Sequence, residues 1–297
     1  MNVTIIGKNN NGGLEKDRLV LTSLLEQQGI TVDFRDLQED FMPLGLDTDV
    51  CIHLEIVDIQ YMGKVNVFIP NQEWFYIEWL PCLDKFDAVF CKSRYACEIF
   101  SHYHQRVIYT GFTSIDCYEV GEKVMEGFHA SGSSRAKGSR YLVDALEGYS
   151  RFRFHITSSF IHEAPFVNER IVFHGMLPEV AFNALRNRCL LHIYPSLVEG
   201  FGHAINEAKA VGAVVLTTGQ APMSELIAAP LIPYAKKYRI PGRLGEIVEI
   251  RPADILAVLE DVLLRDDLYD IGRKNRLSFL ENDQAFKARF MEALCAL

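Results

Sequence analysis

Short apolar runs alternate with stretches of helical spacing along this chain, and that alternation limits its fold more than any other feature. Residues 3–6 form one such run, closed by Gly7 and the turn Asn9-Asn10-Asn11-Gly12-Gly13. Across 14–28, Leu21, Leu24 and Leu25 recur at helical spacing until Gly29, and 31–34 returns as a strand. Strand, helix and strand in that order imply a parallel sheet. Strands are expected at 50–57, 65–69, 88–91 and 107–109, with a helix at 95–100. Residues 111–122 lack a clear period and mark a domain boundary. The alternation then restarts. Strands are expected at 124–129, 152–156, 171–173, 190–194 and 213–217, with helices at 139–147, 179–187 and up to Ala210. The tail from about Ala253 reads as helical, ending in a helix over 285–297. Two consecutive open α/β domains place ligands at the carboxyl ends of their strands, in the cleft between them.

A length of 297 residues suits two domains, and 49% hydrophobic residues can fill two cores. The formal net charge of −9 makes the chain a poor general binder of nucleic acid or anionic membrane. A phosphate-bearing ligand must therefore be held by local devices such as helix N-termini and a few placed cations. The seven cysteines form no C-x-x-C pair and read as reduced thiols of a cytosolic protein, with no zinc site expected. No stretch approaches about 18 apolar residues, so no membrane-spanning helix is expected. No secretory leader is visible either. Attachment to a membrane is at most peripheral, on the inner face.

The chemistry concentrates in Tyr194-Pro195-Ser196-Leu197-Val198-Glu199-Gly200-Phe201-Gly202-His203. Here a strand ends, a loop turns and a helix begins. Gly200 and Gly202 carry no Cβ, so a ligand can approach their backbone closely. The first N–H groups of the helix, with its dipole, favour an anion. Glu207 lies eight positions beyond Glu199, about 10 Å further along a helical rise. That span suits a ligand with hydroxyls at both ends and phosphate between, because carboxylates accept well from vicinal hydroxyls.

From Pro195-Ser196 to Glu207-Ala208, the segment resembles the E-x7-E motif of retaining glycosyltransferases of family 4. The resemblance implies a GT-B fold: two Rossmann-like, doubly wound α/β domains facing a central cleft, with a C-terminal helix returning to the first. On this reading 1–118 is the acceptor-side domain, 119–283 the nucleotide-sugar domain, and 284–297 the returning helix. Glu199 then contacts the donor sugar, Glu207 holds the ribose hydroxyls, and Lys137 holds the diphosphate. Gly200, Phe201, Gly202 and His203 supply groups to sugar and phosphate. Gly12 and Gly13 resemble the family's first glycine loop. Gly175 and Met176 lie in the stretch that resembles its base-binding loop, and Ala221-Pro222-Met223-Ser224-Glu225 resembles its P-x-E turn. Glu199 and Lys137 are the expected catalytic groups. No cofactor and no metal are expected, and the nucleotide sugar is a substrate. The acceptor would be a glycan, a lipid-linked molecule or a small molecule.

The chain departs from the family in two places. Residues 130–134 read Ala-Ser-Gly-Ser-Ser where the family commonly has an Arg, which leaves Ser134 to substitute by hydrogen bonding. A His near the sugar is replaced by Pro70-Asn71-Gln72-Glu73-Trp74, so that Asn71 or Glu73 takes the sugar-contacting role. The competing reading of that stretch is a structural turn with Trp74 packed inward. Asp47-Thr48-Asp49 precedes a strand and reads as a solvated turn, not a metal site. His102 and His104 read as surface residues and His192 as a core one. Lys236, Lys237, Arg239 and Arg243 read as a solvated basic loop, the alternative being contact with an anionic acceptor or a membrane surface. Rival functions are a glycoside hydrolase with Glu199 and Glu207 as its acid pair, a sugar phosphorylase, and a non-catalytic nucleotide-sugar-binding subunit of a glycosyltransferase complex.

Overall fold

The computed structural model describes every residue except 11, 39–45, 162 and 165. Asn11 of the expected glycine turn thus lies outside the described residues. The chain divides into two units. The first contains Met1–Ile115, Arg239–Glu246 and Asn282–Leu297, and the second Asp116–Tyr238 and Ile247–Glu281.

In the first unit, strands β1 (Asn2–Gly7), β2 (Thr31–Asp36), β3 (Val50–Leu54), β4 (Val65–Ile69), β5 (Ala88–Cys91) and β6 (Val107–Tyr109) form one sheet in the order β2-β1-β3-β4-β5-β6. All its pairings are parallel. Every residue of β3 and β5 is buried, as expected of strands covered on both faces. Helix α1 (Gly13–Gln27) turns Leu14, Val20, Leu21, Leu24 and Leu25 inward, and α2 (Arg94–Phe100) begins where the Ser93 hydroxyl accepts from the Ala96 N–H at 3.0 Å. The expected strand over 50–57 stops at Leu54, because Glu55 takes φ +63°, a left-handed conformation that ends extended structure. A run of 3-10 helix, Ile77–Lys85, was not expected from the sequence; Pro81 within it prevents a regular α-helix.

Phe68, Phe75, Phe86 and Phe100 form the aromatic centre of this unit. Trp74 does not join them. It is 49% exposed, and the guanidinium of Arg243 lies 4.1 Å from its ring centroid and 4.8 Å from that of Tyr76. The inward packing considered for Trp74 is therefore corrected, and Arg243 is held by rings, not solvated. The Leu244 N–H also donates to the Phe75 carbonyl at 3.2 Å, which ties the segment Arg239–Glu246 to this unit.

In the second unit, β7 (Val124–Gly132), β8 (Phe154–Ser158), β9 (Ile171–Phe173), β10 (Cys189–Tyr194), β11 (Val214–Thr218) and β12 (Leu231–Ile232) form a second parallel sheet, β12-β11-β10-β7-β8-β9. Helices α3 (Ser139–Ala145), α4 (Glu179–Arg188), α5 (His203–Ala210) and the short α6 (Met223–Leu226) connect the strands. A two-stranded ribbon follows, β13 (Lys236–Arg239) with β14 (Glu246–Glu249), whose end residues Arg239 and Glu246 count with the first unit, and then α7 (Pro252–Leu263). The core joins Leu142, Phe154, Ile156, Leu191, Ile193, Leu216, Ile255 and Leu259. Helix α8 (Leu268–Cys295) is continuous over 28 residues, where the sequence suggested a separate terminal helix. No Gly or Pro interrupts it beyond Gly272. Its last part packs Phe286 and Phe290 against Phe112 and Phe90 of the first unit, at ring-centroid distances of 4.9 and 5.6 Å.

Each sheet also buries an uncharged histidine. His53 in β3 and His129 in β7 are both fully buried, and burial pushes each down to about 4. A histidine whose folded-state value lies below its unfolded value of about 6.5 binds more protons when unfolded. Its contribution is therefore complete above about pH 6.5 and is lost as pH falls toward 4. Between pH 7 and pH 5 each histidine should cost the fold roughly 2 kcal/mol. Urea unfolding at the two values measures this, and an unchanged stability would refute it.

Candidate functional site

The loop between β10 and α5 is the expected motif. It leaves the carboxyl end of β10 at Tyr194 and enters α5 at His203. Gly202 stands at the helix N-cap with φ +102°, a left-handed value that favours glycine, and its carbonyl accepts from the Ile205 and Asn206 N–H groups at 3.0 Å. Within the loop Ser196 is fully buried, and its hydroxyl donates to Glu199 Oε1 at 2.7 Å.

Glu199 is bound from a second loop as well. Lys137, at the end of the 3-10 turn Arg135–Lys137 that follows β7, donates to Glu199 Oε1 at 2.6 Å and to Oε2 at 2.7 Å. The two side chains are only 18% and 9% exposed. The Leu197 N–H also donates to the Ala136 carbonyl at 2.8 Å, so the two loops are pinned by backbone as well as by charge. Gly138 permits this approach. It has φ +70°, and a Cβ placed on it would lie 1.9 Å from the Pro195 carbonyl oxygen. Gly138→Ala should destabilise the second unit by more than ~1 kcal/mol and separate the loops; an unchanged melting temperature would contradict this.

His129 supports both loops from below. Its Nδ1 lies 2.7 Å from the Ile193 carbonyl, and its Nε2 lies 2.7 Å from the Ser139 hydroxyl. One neutral tautomer satisfies both partners, with Nδ1–H donating to the carbonyl and Nε2 accepting from the hydroxyl. This bond joins β7, β10 and the start of α3.

Glu207 is 6% exposed, in α5, and its Oε2 accepts from Arg186 Nη1 at 2.7 Å. Arg186 is itself buried, donates to Asn183 Oδ1 at 2.6 Å and lies over the Phe182 ring at 5.1 Å. The sequence reading missed Arg186. The arginine sought near residues 130–134 is absent there, while this one, in α4, holds the second motif glutamate.

Other expected site residues fall as follows. Gly200 is buried, and Phe201 meets the His203 ring at 5.3 Å, edge to face. Ser134 caps the 3-10 turn, half-buried, two residues ahead of Ala136. Gly175 (φ +62°) and Met176, 71% exposed, follow β9 on the edge of the same sheet. Gly12, Gly13, Asn71 and Glu73 belong to the first unit. Gly12 and Gly13 open α1, and the Gly12 N–H donates to Asn10 Oδ1 at 3.0 Å. Asn71 is engaged at both ends of its amide. It accepts from Lys92 Nζ at 2.9 Å and donates to Glu55 Oε2 at 2.6 Å. Glu73 is buried, and its carbonyl accepts from Arg243 at 3.2 Å.

Asp47-Thr48-Asp49 serves the fold. Asp49 accepts from the Asn2 N–H at 2.9 Å and pairs with Lys64 at 2.9 Å. His192 is fully buried and bonds the Arg186 carbonyl at 3.1 Å. His104 is tied to the Phe86 carbonyl at 3.0 Å.

No protein-family model and no curated protein matches this chain by sequence. Solved structures do match its shape. A glycosyltransferase from Rickettsia africae aligns over 98% of this chain and 97% of its own, with TM-score 0.70 and 12% identity. Sucrose-phosphate synthase from Thermosynechococcus elongatus aligns over 99% and 98%, with TM-score 0.73 and 11% identity. The fold is GT-B. A further GT-B match is a trehalose-6-phosphate protein from E. coli bound with UDP-2-fluoro glucose, over 99% of both chains, with TM-score 0.71 and 9% identity. In the terms of the GT-B fold, the Lys137–Glu199 pair stands at the carboxyl ends of the second sheet, where open α/β sheets bind their ligands.

Proposed function

We propose that this chain is a glycosyltransferase that moves a sugar from a nucleoside diphosphate sugar to an acceptor hydroxyl, with retention at the anomeric carbon and without a metal. The observation that carries the reading is the ion pair of Lys137 with Glu199 beside the glycine loop that opens α5. The pair joins a cation for a diphosphate to a carboxylate for sugar hydroxyls, and the helix N-terminus adds backbone N–H donors. In the proposed reaction the acceptor oxygen bonds to the anomeric carbon as the bond to the diphosphate oxygen breaks on the same face. The leaving diphosphate takes the acceptor's proton. Lys137 and the α5 N-terminus stabilise the charge that develops on it. Glu199 orients the sugar, and Glu207, held by Arg186, faces the ribose hydroxyls.

Among the described residues, no helix is long and apolar enough to cross a membrane. The reading puts the protein in the cytoplasm, where nucleotide sugars are made, at most peripherally on the membrane's inner face, with a glycan, lipid-linked or small-molecule acceptor. A thermal-shift panel of uridine and guanosine diphosphate sugars tests it. At least one donor should raise the melting temperature by several degrees at saturating concentration, and transfer should persist in EDTA. Stabilisation by none of the donors would overturn the reading.

A further inference from the structure

Three adjacent strands of the second sheet bring together a carboxylate, an imidazole and a thiol. Glu126 lies in β7, His155 in β8 and Cys189 opens β10, in the spatial order β10-β7-β8. The pleat puts all three on one face. His155 pairs with Phe128, and Cys189 with Val124, while Glu126 stands two residues from each of those partners. Their ligand atoms all lie within 4.8 Å of one another. Tetrahedral zinc, with bonds of about 2.0–2.3 Å, needs ligand atoms roughly 3.3–3.8 Å apart. Ligation therefore draws the widest pair together by about 1 Å.

The surroundings support a metal in two further ways. His155 Nδ1 lies 2.9 Å from His174 Nε2, and the two rings stack at 5.1 Å and 24°. A metal-ligating imidazole needs such a partner for its other nitrogen, which fixes the tautomer and the ring plane. Glu126 Oε2 also binds His155 Nε2, at 3.1 Å, and the guanidinium of Arg188. The Arg188 side chain is 48% exposed, so it can leave for solvent without moving the fold. Charge balances in both states. Glu126 with Arg188 is neutral, with Cys189 as a thiol; zinc with one carboxylate and one thiolate is neutral, with Arg188 outside. Lys123, whose Nζ reaches the Cys189 carbonyl at 3.5 Å, stays beside either state.

We propose that Glu126, His155 and Cys189 bind one zinc-class cation in place of the Arg188 guanidinium, with His174 positioning His155. On binding, the Cys189 thiol loses its proton to solvent and forms the Zn–S bond. His155 ligates through Nε2, and its Nδ1–H donates to His174. The three ligands lie in the first halves of their strands, whereas Glu199 follows the carboxyl end of β10. The cation therefore belongs to the second unit's own structure and takes no part in sugar transfer. The ligands are scattered along the chain, which is why cysteine spacing did not reveal them.

Metal-free protein titrated with zinc against a chromophoric chelator tests this. One equivalent should bind, with about one proton released, and zinc but not magnesium should raise the melting temperature. Cys189→Ser should weaken binding at least tenfold, and His174→Gln about 10–100-fold. Arg188→Gln, at an exposed side chain, should tighten it, because zinc no longer displaces a cation. No stoichiometric binding at micromolar zinc would overturn the proposal. So would equal binding by folded Cys189→Ser, or unchanged or weaker binding by Arg188→Gln.

Discussion

Lys137→Ala is expected to lower the rate of sugar transfer by about 10²–10³-fold, the usual effect of removing one preorganised donor from a developing oxyanion. Lys137 is the cation that the loop after β7 brings to the glycine loop, and in the proposed mechanism its loss falls on the transition state more than on the bound donor. The defect should therefore appear in kcat more than in KM. The variant also leaves Glu199, 9% exposed on its side chain, with the Ser196 hydroxyl but without its cation. Glu199→Gln separates the two effects. It keeps hydrogen bonding to the sugar and to Ser196 but removes the charge that fixes Lys137. Steady-state transfer assays on both variants decide the matter, and a Lys137→Ala enzyme within threefold of the parent would remove Lys137 from the mechanism.

Lys92→Ala should destabilise the first unit by about 3–5 kcal/mol, the cost of stranding one member of a buried ion pair. Lys92 and Asp17 are each 2% exposed on their side chains and are bonded to one another. Lys92 also donates to Asn71, which in turn donates to Glu55. Desolvation raises the pKa of the half-buried Glu55 carboxyl from its ordinary value, so the chain from Asp17 to Glu55 sets one buried cation against two acids. Removing that cation leaves the buried Asp17 carboxylate without the charge that balances it. An Asp17→Leu/Lys92→Met double variant should recover much of the loss, because the unpaired charge goes with its partner. Denaturant unfolding of the three proteins measures it; a single variant that loses under 1 kcal/mol would show that water reaches the pair.

Much of this fold was legible in the sequence for a physical reason. Short, mostly apolar runs bounded by polar or turn residues mark strands of a covered parallel sheet, and 65–69, 88–91, 107–109 and 171–173 end where the strands do. The glycine loop was legible because the strand, Gly200, Gly202 and the helix start are consecutive. Local pattern failed where a distant partner or an unusual backbone decides. Nothing in residues 50–57 announces that Glu55 turns left-handed. The helical period over 268–295 shows no break, yet the continuous α8 was divided in expectation. The partnership of Lys137 with Glu199 spans 62 residues, and that of Asp17 with Lys92 spans 75. Arg186 was overlooked for the same reason, since only the fold brings it to Glu207. The cluster of Glu126, His155 and Cys189 repeats the lesson on three strands.

The bidentate bond between Lys137 and Glu199 also has a bearing on selectivity. Before any donor arrives, the cation of this site already holds a counterion that cannot diffuse away. A small free anion, such as inorganic phosphate, must compete with a carboxylate tethered at 2.6 and 2.7 Å, and brings nothing to occupy the carboxylate it displaces. On the function proposed above, a nucleotide sugar brings both halves of the exchange, phosphate oxygens for Lys137 and hydroxyls for Glu199. On that reading the pair acts as a lock that opens to two matched groups on one molecule and stays shut to either alone.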